Sequence, residues 1–360
     1  MAKISIVGGG VIGLSIAYEC AIRGHDITVI EAFECGGQAS GAAAGMLAPY
    51  SEIEEDPDDF FRLCQKSLQL YPEWQKAIKQ VSKMDFEYNE SGSLYCIYHE
   101  ADRLSLETKQ SWQKDFGVES YILSGDEVRE KEPELSKEIV AALWCPEESH
   151  IYAPDYVKAL LQACRNLGVR VIERAGEANL VNRTVVTDQH QIEADINVIC
   201  TGAWSMKWEE KLGFSLPVYP IRGQICAYDG PKLNHIIFTS QGYLVGKGNG
   251  SLVAGASEDI AGFDTNVTAH GVGRLEKWSK KVIPGLIGKA PFHRWAGLRP
   301  ATQDGFPLIG RIAKNPEVIL ATGHYRNGIL LSPITAKIVA DEIEGEPQMV
   351  SIDRFRPNRF

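Results

Sequence analysis

The stretch KISIVGGGVIG at residues 3–13, followed by DITVIE at residues 26–31, decides how the chain is read. Ile4 to Val7 form a short apolar strand. Gly8, Gly10 and Gly13 supply G-x-G-x-x-G at its end, and Asp26-Ile27-Thr28-Val29-Ile30 forms a second strand closed by Glu31. Each glycine has a physical task. Gly8 permits a tight turn, Gly10 lets the main chain approach a pyrophosphate, and Gly13 allows the next helix to pack closely on the sheet. That helix presents unpaired amides and its positive dipole end to the phosphates. Gly13, Ala17 and Ala21, four apart, give it one face of small residues. Glu31 is the expected acceptor for a ribose hydroxyl, and an acid there disfavours a 2′-phosphate. The pattern predicts an adenine dinucleotide site, with nicotinamide and flavin nucleotides both open.

The rest of the chain bounds what surrounds this unit. A length of 360 residues favours about two domains. With 44% hydrophobic and 23% charged residues it has the composition of a globular protein. A net charge of −10 without Lys/Arg clusters excludes a nucleic-acid surface. An anionic substrate must then be held by individual arginines. Met1-Ala2-Lys3 leads into the first strand without the regions of a signal peptide, and no apolar stretch approaches the roughly 20 residues of a membrane span. A cytoplasmic protein is expected. The eight cysteines are scattered, with no C-x-x-C and no histidine at metal-ligand spacing, so reduced thiols and no metal site are expected.

Two kinds of pattern alternate along the chain. The nucleotide unit is followed by a helical stretch from Phe60 to Val81. Phe86 to Tyr88 and Ser93 to Tyr98 then read as strands, and Ala101 to Phe116 as a charged helix. A helix from Asp155 to Gly168 and strands at Val169–Glu173, Thr184–Thr187 and Ile196–Cys200 bring the first pattern back, ending in Thr201-Gly202-Ala203-Trp204. Gly223–Tyr228, Ile236–Phe238, Gly242–Val245 and Ser251–Gly255 are spaced like an antiparallel sheet, with Lys247-Gly248-Asn249-Gly250 as a hairpin turn. A strand at Val318–Ala321, a glycine loop and a helix from about Gly328 to Ile343 close the chain. Ser332-Pro333 offers a competing helix start. The expected fold class is α/β, a Rossmann-like nucleotide-binding domain (residues 1–82, 147–216 and 295–360) interleaved with an α+β domain (83–146 and 217–294) built on a mostly antiparallel sheet.

Five pieces in this order resemble the D-amino acid oxidase superfamily of FAD-dependent oxidoreductases, and within it the glycine oxidases of thiamine biosynthesis. They are Ile4 to Gly13 with Glu31, Ser40 to Leu47, Ile199 to Ser205, Trp295 to Pro300 with Asp304-Gly305, and Gly323 to Leu330. The resemblance implies noncovalent FAD, since the cysteine that anchors flavin in monomeric sarcosine oxidases has no counterpart at residues 299–330. Carried over by position, Gly8, Gly10, Val11, Ile12, Gly13, Glu31 and Ala32 hold the ADP portion. Ala39, Ser40, Ala44, Gly45 and Met46 follow the ribityl chain and ring, with Glu177 and Gly202 near the adenine. His324, Tyr325, Arg326, Asn327, Gly328, Ile329 and Leu330 meet the flavin pyrimidine edge. A glycine loop entering a helix presents free amides there, which favours hydride acceptance.

The same resemblance implies oxidative deamination of a small amino acid, with O2 reoxidising the flavin, and a homo-oligomer. A flavin dehydrogenase serving a quinone or partner protein is the alternative. Arg299 is expected to hold the substrate carboxylate in a bidentate pair, unless it pairs with Asp304. Tyr243 is expected to bond the same carboxylate, and Arg326 to join it or the flavin environment. Hydride transfer from Cα to flavin N5 needs positioning and no acid–base set; His324 is a possible but dispensable base. One departure stands out: Glu258 occupies a position where glycine oxidases carry Met. An acid there either bonds the substrate amine or faces solvent.

Overall fold

A computed structural model describes residues 1–53 and 57–360. The predicted opening unit forms as strand Lys3–Val7, helix Val11–Ile22 and strand Asp26–Ile30. The two strands pair in parallel with Lys3 opposite Asp26 and Val7 opposite Ile30, so they end at one level. Gly8 and Glu31 therefore emerge side by side. The Gly8 amide donates to the Ile30 carbonyl (2.9 Å) and the Gly9 amide to Glu31 Oε2 (2.7 Å). The helix between the strands is buried from Val11 to Cys20, consistent with its small face. At Gly13 an added Cβ would lie 1.9 Å from the Gly8 carbonyl oxygen, which makes glycine obligatory at that contact.

Two large sheets organise the described residues. The first has the order Leu308–Ile312, Asn315–Thr322, Ile196–Ile199, Lys3–Val7, Asp26–Ile30, Arg170–Ile172. All its pairs are parallel except the first. Parallel strands bring their C-terminal ends to one edge, where ligands of such sheets bind. The second sheet has eight strands in the order His293–Thr302, Val218–Asp229, Ser251–Gly255, Gly242–Gly246, Ile236–Thr239, Ser93–Ile97, Ala141–Cys145, Tyr121–Ser124. Its one parallel pair joins Ile236–Thr239 to Ser93–Ile97. Both sheets are thus assembled from separated pieces of chain.

Alternation along the strands gives the second sheet two apolar faces. Cys226, Tyr228, Leu244, Leu252 and Ala254 pack with Val272, Leu275 and Trp278 of the helix Ala269–Val282. Ile225, Phe238, Tyr243, Val245 and Val253 pack on Ala44 and Ala48. The expected junction at residues 294/295 falls inside the strand His293–Thr302, which pairs along its length with Val218–Asp229. Its Gly297 and Pro300 disguise it as a loop in the sequence. Pro300 sits opposite Pro220, so neither residue asks the other for a donor, and the strand lies at the sheet edge where proline is tolerated.

The last helix settles the two possible starts. It runs Gly328–Glu344, with Ser332 and Pro333 inside it. Proline cannot donate to the Ile329 carbonyl four residues back. Instead Tyr71 and Ser332 hydroxyls donate to that oxygen, and Ser67 donates to the Leu330 carbonyl (2.6 Å). Tyr71 and Ser67 belong to the neighbouring helix Asp59–Ser82, which is thereby fastened to the first turn of the last helix.

Candidate active site

A cavity of about 520 Å³, within the range of small-molecule sites, opens at the C-terminal edge of the parallel strands and runs under the second sheet. Main chain dominates its first part. Gly8 has φ +112°, and a Cβ there would lie 2.4 Å from the Cys200 carbonyl oxygen. Gly45 has φ +78°, with the Ile151 carbonyl oxygen 2.0 Å from the position of a Cβ. Ser40 Oγ accepts from the Val11 amide (2.9 Å), so one of the helix's first donors is already satisfied. Glu31 also accepts from the Phe33 amide (2.9 Å). Gly202, at φ +53°, borders open space: a Cβ there would meet no protein atom within 4 Å.

Side chains dominate the other part. Arg299 comes from the edge strand and lies across Gly223 of the next strand, where a Cβ would fall 2.5 Å from its guanidinium carbon. Tyr243 lies across Gly255 in the same way, its hydroxyl 2.4 Å from the position of a Cβ. Two glycines in adjacent strands thus let two long side chains lie flat against the cavity. Arg299 Nη1 donates to the Ser257 carbonyl (2.9 Å), and among the described residues it has no carboxylate partner. Asp304 is engaged elsewhere, by Arg359 at 2.6 and 3.0 Å. Burial pushes the Tyr243 hydroxyl up to about 12, against the opposing pull of Arg299, so it remains a neutral donor at ordinary pH.

Glu52 is the acid that the sequence did not single out. It ends the one-turn helix Pro49–Glu52 and heads a stretch of the sequence rich in acids. Its side chain is only 10% exposed and stands 3.7 Å from Arg326. Burial raises its pKa, countered by Arg326 and then Arg299. The short helix is held by its main chain. Buried Glu148 accepts from the amides of Tyr50 (2.6 Å) and Ser51 (2.8 Å) and from the hydroxyls of Ser51 and Ser93, while Lys109 and Gln113 donate to the carbonyls of Ser51 and Tyr50.

The loop before the last helix completes this end. Tyr325 adopts φ +47°, a left-handed conformation that costs about 1–3 kcal/mol in a non-glycine residue. Its amide donates to the Pro300 carbonyl (2.9 Å) and its hydroxyl to Glu258 Oε1 (2.9 Å), which hold it there. Arg326 Nη1 stands 3.4 Å from the same Glu258 oxygen. Glu52 foremost, with Glu258, keeps the Arg326 guanidinium charged. His324 is buried and bonded to Thr335 (3.1 Å), and burial pushes its pKa down to about 3.

Against this geometry, the family model for FAD-dependent oxidoreductases (DAO) matches residues 3–342. The chain belongs to the DAO family of FAD-dependent oxidoreductases. It is 32% identical to a glycine oxidase of Bacillus licheniformis, over 98% of this chain and 96% of the relative. It is also 32% identical to a bifunctional protein ThiO/ThiG of Synechocystis, over 100% of this chain but 54% of that longer protein. The crystal structure of glycine oxidase from Geobacillus kaustophilus superposes with a TM-score of 0.95, at 30% identity and full coverage of both chains. As a member of the DAO family the chain takes FAD as cofactor and is an enzyme of the amino acid oxidase class. Its residues fit that group: the glycine-lined turn, the acid at the second strand end and the open space at Gly202 leave room for a dinucleotide that side chains would fill.

The cavity brings together most of the residues expected from sequence. Gly8, Gly10, Val11, Ile12, Glu31, Ala32, Ala39, Ser40, Ala44, Gly45, Met46, Glu177, Gly202, His324, Tyr325, Arg326, Gly328, Ile329, Tyr243 and Arg299 line it. Gly13, Asn327 and Leu330 do not. Gly13 faces the Gly8 carbonyl, and Leu330 is buried beneath the first helical turn. Asn327 is the residue before that turn, and its carbonyl accepts from the Leu331 amide (2.8 Å). Glu258 is half-exposed, in line with the second of its two expected roles, and there Tyr325 and Arg326 engage it. No helix among the described residues is long and apolar enough to cross a membrane.

Proposed function

We propose that the chain oxidises the Cα–N bond of a small amino acid (glycine, sarcosine or a small D-amino acid) and releases an α-keto acid such as glyoxylate, ammonia or an amine, and hydrogen peroxide. The carrying observation is Arg299: a guanidinium at the end of the cavity that lies over Gly223 and, among the described residues, donates one hydrogen bond, to a carbonyl. It receives the substrate carboxylate bidentately. Tyr243, held neutral, donates a second bond to that carboxylate, and its ring limits the space above Cα. Carboxylate and ring together orient the Cα–H bond, which is the protein's main contribution to this chemistry.

FAD held there would supply the acceptor for the Cα hydride and the route of its electron pair to O2. The amine proton leaves to water, because His324 is buried in neutral form against Thr335. Water then hydrolyses the released imine. Gly8, Gly10, Val11, Ile12, Glu31 and Ala32 are the proposed ADP contacts, with Glu177 and Gly202 by the adenine. Ala39, Ser40 and Ala44 to Met46 line the path to the ring. Gly328 and Ile329, at the positive end of the last helix, would be its neighbours at the pyrimidine edge.

The test is a screen of FAD-loaded protein with glycine, sarcosine, D-alanine and D-proline, reading peroxide and flavin colour together. Bleaching without air and peroxide in air are expected for at least one of them. Bleaching without peroxide would replace oxygen by a quinone or partner protein, the dehydrogenase alternative. No bleaching by any of the four would refute the substrate class.

A further inference from the structure

Arg326 is flanked by two acids, Glu52 at 3.7 Å and Glu258 at 3.4 Å. Glu52 is buried, but Glu258 stands half-exposed beside the cavity. A surface acid usually contributes little, because it moves and is screened. This one is held. The Tyr325 hydroxyl donates to it at 2.9 Å, and its own segment is pinned on both sides. Arg222 and Asp259 exchange main-chain hydrogen bonds, both 2.9 Å. Ser257 Oγ and Gln224 Nε2 both donate to the Asp259 carboxylate at 2.7 Å, and the buried Arg222 guanidinium reaches Asp264 at 2.8 Å. The carbonyl of Ser257, next to Glu258, is the one that accepts from Arg299.

Two guanidinium groups therefore share this end of the cavity, but only Arg299 is open to an anion. A substrate carboxylate on Arg299 balances its charge, while Glu52 and Glu258 already balance Arg326. A second anionic group on the substrate that approaches Arg326 meets the Glu258 carboxylate, 3.4 Å from that guanidinium, and like charges repel. We infer that Glu258 is a specificity-determining residue, which rejects amino acids carrying a second anionic group and admits neutral or cationic substituents. The inference rests on the proposed role of Arg299 as carboxylate receptor.

Ligand titrations of the oxidised, FAD-loaded protein, followed by the visible flavin spectrum, test it without turnover. Acetate and malonate differ by one carboxylate. The native protein is expected to bind acetate more tightly, and Glu258→Gln to shift the ratio of the two affinities toward malonate by about tenfold. Tyr325→Phe, which frees Glu258 without removing its charge, is expected to shift the ratio by a smaller factor. In turnover the same variant moves the ratio of kcat/KM for N-(carboxymethyl)glycine over sarcosine in the same direction. A ratio that stays within about twofold in Glu258→Gln overturns the inference while leaving Arg299 in place. If acetate perturbs the spectrum equally in native protein and Arg299→Ala, the Arg299 role falls, and the inference with it.

Discussion

The two ends of the cavity are built by opposite means. At the nucleotide end the lining is main chain, and the decisive residues are those with no side chain: Gly8, Gly45 and Gly202. At the substrate end the lining is long side chains, namely Arg299, Tyr243, Arg326 and Glu52, drawn from separate segments. Backbone geometry tolerates no substitution but needs no partner. A side-chain site tolerates change gradually and depends on what lies beneath it. Damage at the first end should therefore appear as lost cofactor or lost fold, and damage at the second as lost affinity in a well-folded yellow protein.

The sharpest contrast is within glycines at positive φ. In Gly8→Ala the new methyl would meet the Cys200 carbonyl oxygen at 2.4 Å, and more than about 4 kcal/mol of stability is expected to go, with FAD retention. Gly24→Ala, at φ +87° but with nothing within 4 Å, should cost only about 1–2 kcal/mol and leave FAD bound. Thermal melts and flavin absorbance after gel filtration would read both; equal losses would break the comparison.

Arg299→Ala should keep FAD and the native melting temperature while kcat/KM falls by about three orders of magnitude, chiefly through KM. Steady-state kinetics that left KM unchanged would remove the carboxylate role. Gly223→Ala tests whether the substrate end leans on its glycines. Its methyl would strike the end of a flexible arginine, so folding should survive while the displaced guanidinium raises KM roughly tenfold. A native KM would show that Arg299 does not need to lie flat.

At neutral pH His324 contributes least, and its effect grows as the pH falls. Its folded pKa of about 3 lies below the value of about 6.5 expected when unfolded, so the unfolded chain binds the proton that the folded one refuses. Stability should fall as pH drops from 6.5 towards 3, by up to about 1.4 kcal/mol per pH unit from this residue. Urea unfolding of His324→Gln at pH 7 and pH 5 should show a correspondingly smaller difference than native protein.

The same contrast explains what could be read in advance. Main-chain geometry leaves a local signature, because a turn that requires Gly8, Gly10 and Gly13 writes them within six residues of one another. Side-chain partnerships leave none. Arg326 and Glu258 lie 68 residues apart, and Glu52 is one of several acids close together in the sequence. Resemblance pointed to Arg299 and Tyr243, which line the cavity, but Gly223 and Gly255, on which they lie, are ordinary strand residues until the sheet register is known. Asn327 and Leu330 stay outside the cavity lining for a local reason. Leu330 lies in the first helical turn, where each residue is rotated by 100° from the last, and Asn327 caps that turn with its carbonyl bonded to the Leu331 amide.

Pro333 has a reach beyond its own helix. By withholding a donor it hands the Ile329 carbonyl to Tyr71, and the helix Asp59–Ser82 becomes a strut whose position fixes where the last helix begins. Gly328 and Ile329 at that beginning line the cavity, although nothing in the strut is proposed to take part in the chemistry. Substitutions deep in a silent scaffold helix can then register as catalytic faults, and a Tyr71→Phe protein with normal folding and an altered flavin spectrum would be their signature.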